Sequence, residues 1–586
     1  MKTIIKAARL LHRRPRHSFL VTTALGLAAS FSACDNNNGP LTQAQITQAL
    51  QSKVKTVVII YAENRSFDGF FGNFPGANGL SAVVDGSGNP LAAYSPQLDR
   101  DFTTKLATLP PTWGGVTAAG NPTTVTQAQS VNLPNAPFPI ETAFNKVNSA
   151  PALTTADVTR DLYHRFFEEQ MQINGGTNDE FAAFGDSGGL TLGHWDASRS
   201  ALYALAQQYT LADNFFQAAF GGSFLNHQYL ICGCAPTVSS AFATRATNPP
   251  SQNVLTTANA KGVPQLAANS SQQASALNGA PSLKSGNVVP LDYFGTGDGY
   301  RAVNTMQAPF QPSGNFPADN TGNDLLYADP SKATTLEAQT QTTIGDQLTA
   351  ASITWKWYSQ AWKAATADGE QNPASSPVHC VIYYQGPTGG SCPPAAAAAP
   401  RGTPNFQAHH HPFNYYQAFD PVTNAAARSA HLKDESDLLA DAAAGTLPAV
   451  VFYKPQGSYN QHPGYANIDD GDDHIFGIVR ALQESPQYAN MVIIVTYDEN
   501  GGQWDHVAPP KGDLLGPGNR LPAIIVSPLA KQGFVDHTQY DTASFLRLVD
   551  RVFNIQPLPG ITARDTALVA HGFPAMGDFS NALNLQ

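Results

Sequence analysis

Four short runs of consecutive apolar, mostly β-branched residues constrain this chain most: positions 56–61, 449–453, 491–497 and 523–527. An alternating strand has one wet face, whereas an unbroken apolar run is buried on both, as strands of a parallel sheet are. Helical patterns separate the runs. Asp473 is placed to cap a helix that carries Ile475, Phe476, Val479 and Leu482 on one face, and Ser544 opens another with Phe545, Leu546, Leu548 and Val549. Apolar strands alternating with amphipathic helices predict an α/β fold with a central, mostly parallel sheet flanked by helices. With 586 residues, 42% of them hydrophobic and 13% charged, the chain can bury a large core.

The first 33 residues have the pattern of an export signal. Lys2, Lys6, Arg9, Arg13, Arg14 and Arg16 form a basic head, followed by an apolar stretch over 19–29. That stretch is short, and rich in Thr and Gly, for a membrane span. Phe31-Ser32-Ala33-Cys34 resembles a bacterial lipobox, with Phe31 where Leu is usual. Cys34 would then be the lipidated first residue and a membrane anchor; a plain signal cut nearby is the alternative. The expected location is the periplasm, a membrane-anchored lipoprotein, or the medium. Residues 34–54 are expected to be a linker, and 55–586 a single domain with insertions near 236–335 and 362–405. Cys232, Cys234, Cys380 and Cys392 remain, enough for two disulfides in an exported chain. Their pairing stays open, but the spacing of Cys232 and Cys234 is expected to be too tight for an easy bridge. A net charge of -11, with no basic face beyond the N-terminus, excludes nucleic acid as the expected partner.

Two of the buried runs end in oxygen-bearing side chains. Residues 56–61 lead into Glu63-Asn64, and 491–497 into Asp498-Glu499. In an open α/β sheet, ligands bind beyond the carboxyl ends of the strands. Three carboxylates brought together there repel and call for protons or a cation. Hard oxygen donors suit Mg, Ca or Mn, and Zn or Fe can also be held. Either segment alone could merely cap the next helix. A third element, Gly221-Gly222-Ser223, turns the backbone sharply and can present a hydroxyl at a helix N-terminus, where a phosphate is favoured. An ordinary N-cap serine is the alternative. No G-x-S-x-G elbow surrounds it, which disfavours a hydrolase triad. Asp469-Asp470-Gly471-Asp472-Asp473 lacks the spaced ligands of a calcium loop and is expected to be a solvated, helix-capping turn.

Taken together, these segments resemble one family. Glu63-Asn64-Arg65-Ser66-Phe67-Asp68 with Phe71-Gly72, Gly221-Gly222-Ser223, Tyr497-Asp498-Glu499-Asn500-Gly501-Gly502 with Trp504-Asp505-His506-Val507, and Arg520-Leu521-Pro522-Ala523 resemble motifs of the bacterial phosphoesterases, the family of phospholipases C and acid phosphatases. The resemblance spans about 55–570 and implies a core similar to that of the alkaline phosphatase superfamily. It implies that Glu63, Asn64, Ser223, Asp498 and Glu499 hold one divalent metal and that Ser223 attacks phosphorus. Gly-Gly-Ser looks more like the acid phosphatase branch than the threonine of many phospholipases C. His462 is expected as general acid, with His164 and His410 at the phosphate, since a protonatable imidazole suits both tasks. His409, Asn226, Asp505 and His506 are expected to support the site, while His194 and His227 read equally well as plain structural residues.

The expected activity is hydrolysis of small phosphate monoesters through a phosphoserine. Phospholipase C action on phosphatidylcholine-type lipids is the runner-up, because larger members carry further β domains that this sequence does not show after His571. An inactive periplasmic binding lipoprotein is the reading from another class. A sulfatase is disfavoured, since no Cys-x-Pro-x-Arg motif occurs.

Overall fold

The strand Thr56–Ala62 (β1) lies at the centre of a nine-stranded sheet, and every one of its residues is buried. The other strands are Thr210–Phe216 (β2), Trp355–Ser359 (β3), Leu432–Asp434 (β4), Val450–Lys454 (β5), Met491–Tyr497 (β6), Arg520–Val526 (β7), Phe534–Asp536 (β8) and Tyr540–Asp541 (β9). Their spatial order is β4-β3-β5-β1-β6-β7-β2-β8, with β9 also paired to β2. The computed structural model describes residues 40–586 apart from 240–257, 284–292, 297–298, 304, 316, 319–321, 333–334, 370–381 and 384–403. The export signal, Cys34, Cys380 and Cys392 lie outside the described residues.

The expected α/β architecture is present, and all four apolar runs are strands. β1 pairs in parallel with β5 and β6. β7 runs antiparallel to both β6 and β2. Two reversals in succession leave β2 parallel to β6, so the carboxyl ends of β5, β1, β6 and β2 all face one edge. Val57, Val58, Ile59 and Ile60 are at most 1% exposed. Burying side chains of this size contributes about 2 kcal/mol each.

The helices that matter for the site are Phe67–Phe71 (α1), Phe166–Ile173 (α2), Ala201–Gln208 (α3), Ser223–Cys232 (α4), Ile468–Gln483 (α5) and Ser544–Phe553 (α6). α5 begins earlier than its sequence suggests. Asn467, not Asp473, is its N-cap and accepts the Asp470 amide at 2.7 Å. The acidic run is therefore the first turns of α5 and not a solvated turn. Within it, buried Asp472 caps a different helix, accepting the amides of Ala201 at 2.6 Å and Leu202 at 3.0 Å.

Cys232 and Cys234 are bridged to each other, against expectation. Gly233 ends α4 in the left-handed region at φ 58°. That turn brings the two Cα atoms to 5.1 Å, inside the range a disulfide spans. In the described part of the first insertion, Thr237–Val238, Gly299–Ala302 and Tyr293–Thr296 form a small antiparallel sheet. Thr305, just beyond it, accepts the Phe224 amide through its carbonyl at 3.1 Å and so lies over the start of α4.

Candidate functional site

β1 and β6 are in register from Thr56↔Met491 to Ala62↔Tyr497. The next residues on each strand, Glu63 and Asp498, therefore emerge side by side at the carboxyl edge. Asn64 leaves β1 with φ 59°, a left-handed conformation that asparagine tolerates better than most residues. Its amide donates to Asp498 Oδ1 at 3.2 Å, and the Glu499 amide donates to the same oxygen at 2.8 Å. Gly501, at φ 60°, lets the turn after Glu499 rest on Asn64; a Cβ there would meet Asn64 Cβ at 2.5 Å.

Ser223 reaches the same point from β2. The connection passes through Gly221, at φ 85°, where a Cβ would meet the Phe166 amide nitrogen at 2.6 Å. Glu169 from α2 accepts the Gly221 amide and the Gln217 side chain at 2.8 Å, fixing this loop. Asn226 fixes it from the other side, donating to the carbonyls of Ala219, Gly221 and Gly222 at 3.1–3.3 Å. Ser223 Oγ then lies 3.1 Å from Glu63 Oε2 and 3.2 Å from Glu499 Oε1. One hydroxyl hydrogen serves only one of these oxygens at a time.

The electrostatics point to a missing positive charge. Burial, then the neighbouring Asp498, holds Glu63 well above the usual carboxylate range. Burial, then Asp498 and Glu63, does the same to Glu499, and burial raises Asp498. Asn64 Oδ1 and Asp498 Oδ2 are buried without a hydrogen-bond partner. Buried acceptors without a partner beside crowded carboxylates match the donor set of a cation site. The donors fit a hard divalent ion: Glu63, Asn64, Asp498, Glu499 and the Ser223 hydroxyl.

The histidines divide into two groups. His164 directs Nε2 at Glu499 Oε1, 3.3 Å away, and its Nδ1 faces the Leu162 carbonyl at 2.5 Å. His462 has Nδ1 at the Pro463 carbonyl and Nε2 3.0 Å from Asn64 Nδ2. With Nδ1–H committed to Pro463, Nε2 accepts from the Asn64 amide, which leaves Asn64 Oδ1 without a hydrogen-bond partner. The two rings meet edge to face at 5.7 Å. Burial lowers both from the ordinary imidazole value, His462 most strongly. Glu63 and Asp498 are 0% exposed, Ser223 1%, His164 and His462 5% and His409 8%, so the whole cluster is buried.

His410 is placed elsewhere. It stands 3.3 Å from Glu63 Oε1 and stacks on His227 at 4.8 Å, with His409 edge-on to it at 4.1 Å. His411 packs against Trp362 and Trp357, away from the cluster. Asp505 and His506 touch none of the five oxygen donors. Asp505 pairs with Arg520 at 3.0 Å, Asp68 pairs with His506 at 2.6 Å, and Arg520 also reaches Asp68 at 3.1 Å. This buried network ties the loop after β1 to the loop after β6. His194 is half-buried, and desolvation of its ring pushes it down to about 4.

One site residue escaped the sequence reading, and a second, His227, was left open there as a plain structural residue. Lys454, the last residue of β5, donates to Glu63 Oε1 and to the Tyr61 carbonyl at 3.0 Å. His227 lies one turn beyond Ser223 on α4, with Nε2 3.9 Å from Glu63 Oε1 and Nδ1 3.7 Å from Asp498 Oδ2. The i, i+4 spacing from Ser223 was the available signal for His227. Nothing marks Lys454 except its place at a strand's carboxyl end.

The raised carboxylates imply a pH-dependent stability. Glu63 and Glu499 bind protons more tightly folded than unfolded. Without metal, the stability they contribute is present below the ordinary carboxylate range and is lost as pH rises through their raised values. A cation replaces those protons, contributing about 4 kcal/mol at an ion concentration roughly 1,000 times its Kd. Calorimetry of chelated and metal-loaded protein should show a Tm gap wider at pH 7 than at pH 4. An equal gap at both would mean that these carboxylates do not hold the ion.

Comparison with known proteins gives one consistent answer. The profile of the phosphoesterase family matches residues 54–556. Phospholipase C B of Mycobacterium tuberculosis is 29% identical over 196 residues, 29% of this chain and 36% of its own. The non-hemolytic phospholipase C of Pseudomonas aeruginosa is 26% identical over 204 residues, 29% of this chain and 28% of its own. The aligned part thus spans about a third of the length of these relatives. A phosphonate monoester hydrolase from Silicibacter pomeroyi covers 61% of this chain and 68% of its own at 10% identity, with a TM-score of 0.24, too low to bear on fold or chemistry.

Proposed function

This chain belongs to the phosphoesterase family, and we propose that it is an exported, metal-dependent acid phosphatase that hydrolyses phosphate monoesters through a phosphoserine on Ser223. One observation carries the reading: the Ser223 hydroxyl lies 3.1 and 3.2 Å from two buried carboxylates, at the first turn of α4, with two unpartnered oxygens beside it. The export part rests on the basic and apolar pattern of residues 1–33.

When bound by Glu63, Asn64, Asp498, Glu499 and Ser223, a divalent ion would lower the pKa of the serine hydroxyl and offset charge on the phosphoryl oxygens. The positive end of the α4 dipole favours a phosphate placed over Ser223. His164, whose Nε2 lies 3.3 Å from Glu499 Oε1, donates to a phosphoryl oxygen once protonated. Ser223 Oγ gives its proton to a facing carboxylate and bonds to phosphorus as the ester P–O bond breaks. His462 Nε2, which accepts the Asn64 amide when neutral, takes up a proton at the expense of that bond and donates it to the departing alkoxide oxygen. In the second half, water gives a proton back to His462 and its oxygen bonds to phosphorus. The P–O bond to Ser223 breaks, and the serine recovers its hydrogen. Because burial depresses His462 and His164, their protonated forms persist only under acid conditions. This supports turnover that declines as pH rises.

Phospholipase C action is the second reading, favoured by the names of the relatives. Comparing p-nitrophenyl phosphate with phosphatidylcholine, each with and without chelator, separates the two. The expected result is release of p-nitrophenol at least tenfold faster than of phosphocholine, abolished by chelator and restored by a divalent salt. Faster phosphocholine release would establish the lipase reading. No turnover of either substrate under any added metal would leave a binding lipoprotein.

A further inference from the structure

We propose that Lys454 is a built-in cation that takes the place of a second metal ion against Glu63, and so fixes the site at one divalent ion. The inference rests on the reading of Glu63, Asn64, Asp498 and Glu499 as ligands of the first ion.

Glu63 uses its two oxygens on different neighbours. Oε2 faces Ser223 at 3.1 Å, whereas Oε1 faces Lys454 Nζ, His410 Nδ1 at 3.3 Å and His227 Nε2 at 3.9 Å. Glu63, His227 and His410 each place a ligand atom within 4.8 Å of the others, all of them buried. His227 Nε2 and both nitrogens of His410 have no hydrogen-bond partner. One carboxylate and two imidazoles are donors that zinc-like ions accept readily. Yet the ammonium of Lys454 already stands on the shared oxygen, and its second bond, to the Tyr61 carbonyl at 3.0 Å, holds it there. It comes from the last residue of β5, paired in parallel with β1, so the sheet itself fixes its position.

The charge count agrees. Three carboxylates and one ammonium sum to -2, which a single divalent ion closes. A second ion beside Lys454 would leave an excess of +2 in a fully buried cluster, a costly arrangement. Without the ammonium, two ions would leave an excess of only +1, and the imidazole donors stand free for the second.

The test is metal stoichiometry. Wild type, Lys454→Met, Lys454→Gln and Lys454→Arg are loaded with Zn²⁺ or Co²⁺, desalted, and measured by elemental analysis and by Co²⁺ absorption, with circular dichroism confirming the fold. Wild type and Lys454→Arg are expected to hold one ion per chain, and Lys454→Met and Lys454→Gln two. Adding His227→Phe to Lys454→Met should return the count to one. One ion in the folded neutral variants, or two in wild type, overturns the proposal. No ion in wild type removes the underlying metal reading, a separate and recognisable failure.

Discussion

Ser223→Ala is expected to lose phosphomonoester turnover by about 10⁴-fold or more, the scale on which removal of an attacking hydroxyl is felt. Fold and metal should survive. Ser223 is the first residue of α4 and Gly222 is its N-cap, so no helix-capping bond is lost. Alanine is a better helix former than serine. The change strands no buried donor, because the hydroxyl is the donor to Glu63 and Glu499 and vanishes with its hydrogen. The carboxylates and Asn64 stay to hold the ion. Elemental analysis and circular dichroism should match wild type while product release falls to background. Turnover within tenfold of wild type would remove Ser223 from the role of nucleophile.

Asp498→Ala should fail differently, losing metal and activity together. Asp498 offers Oδ2 to the site while Oδ1 holds the amides of Asn64 at 3.2 Å and Glu499 at 2.8 Å. Removing it deletes one donor and loosens the two neighbours that supply others. The fall in metal affinity should exceed the roughly 100-fold that loss of an outer partner costs. Two buried amides left unpaired add a stability loss of about 2–4 kcal/mol. Isothermal titration with a divalent salt, run beside the activity assay, measures both. Wild-type metal content in the folded variant would exclude Asp498 as a ligand. The two variants form a pair: one silences the chemistry with the ion in place, the other removes the ion.

The convergence behind both predictions was legible because β1 and β6 carry unbroken apolar runs ending in acids. Two fully buried strands are interior strands of a sheet, and here they are adjacent and in register. Other parts were hidden for identifiable reasons. β2 escaped because Asp213 and Asn214 interrupt its apolar run; Asp213 is paired with His537 at 2.9 Å and accepts the Asn78 amide at 2.7 Å. The antiparallel course of β7 cannot be read from residues 523–527, since burial on both faces demands the same residue types in either direction. Asp473 misled because the capping residue, Asn467, lies six positions earlier, before an acidic run that resembles a loop. The Cys232–Cys234 bridge was discounted on spacing alone, although Gly233 supplied the turn that makes it possible. Lys454 was overlooked because its meaning is positional and appears only when β5 stands beside β1.

The carbonyl contact of Thr305 with the start of α4 has a consequence for how such enzymes diversify. The reacting groups are anchored at the ends of central strands, where a shift in one spoils the rest. Thr305, by contrast, belongs to an inserted segment, and among the described residues it meets the start of α4 through one peptide hydrogen bond and its fit against Gly222. Such a segment can lengthen, shorten or change composition without disturbing strand register. Selection can therefore remodel what borders the first turn of α4 while the strand ends beneath it stay as they are.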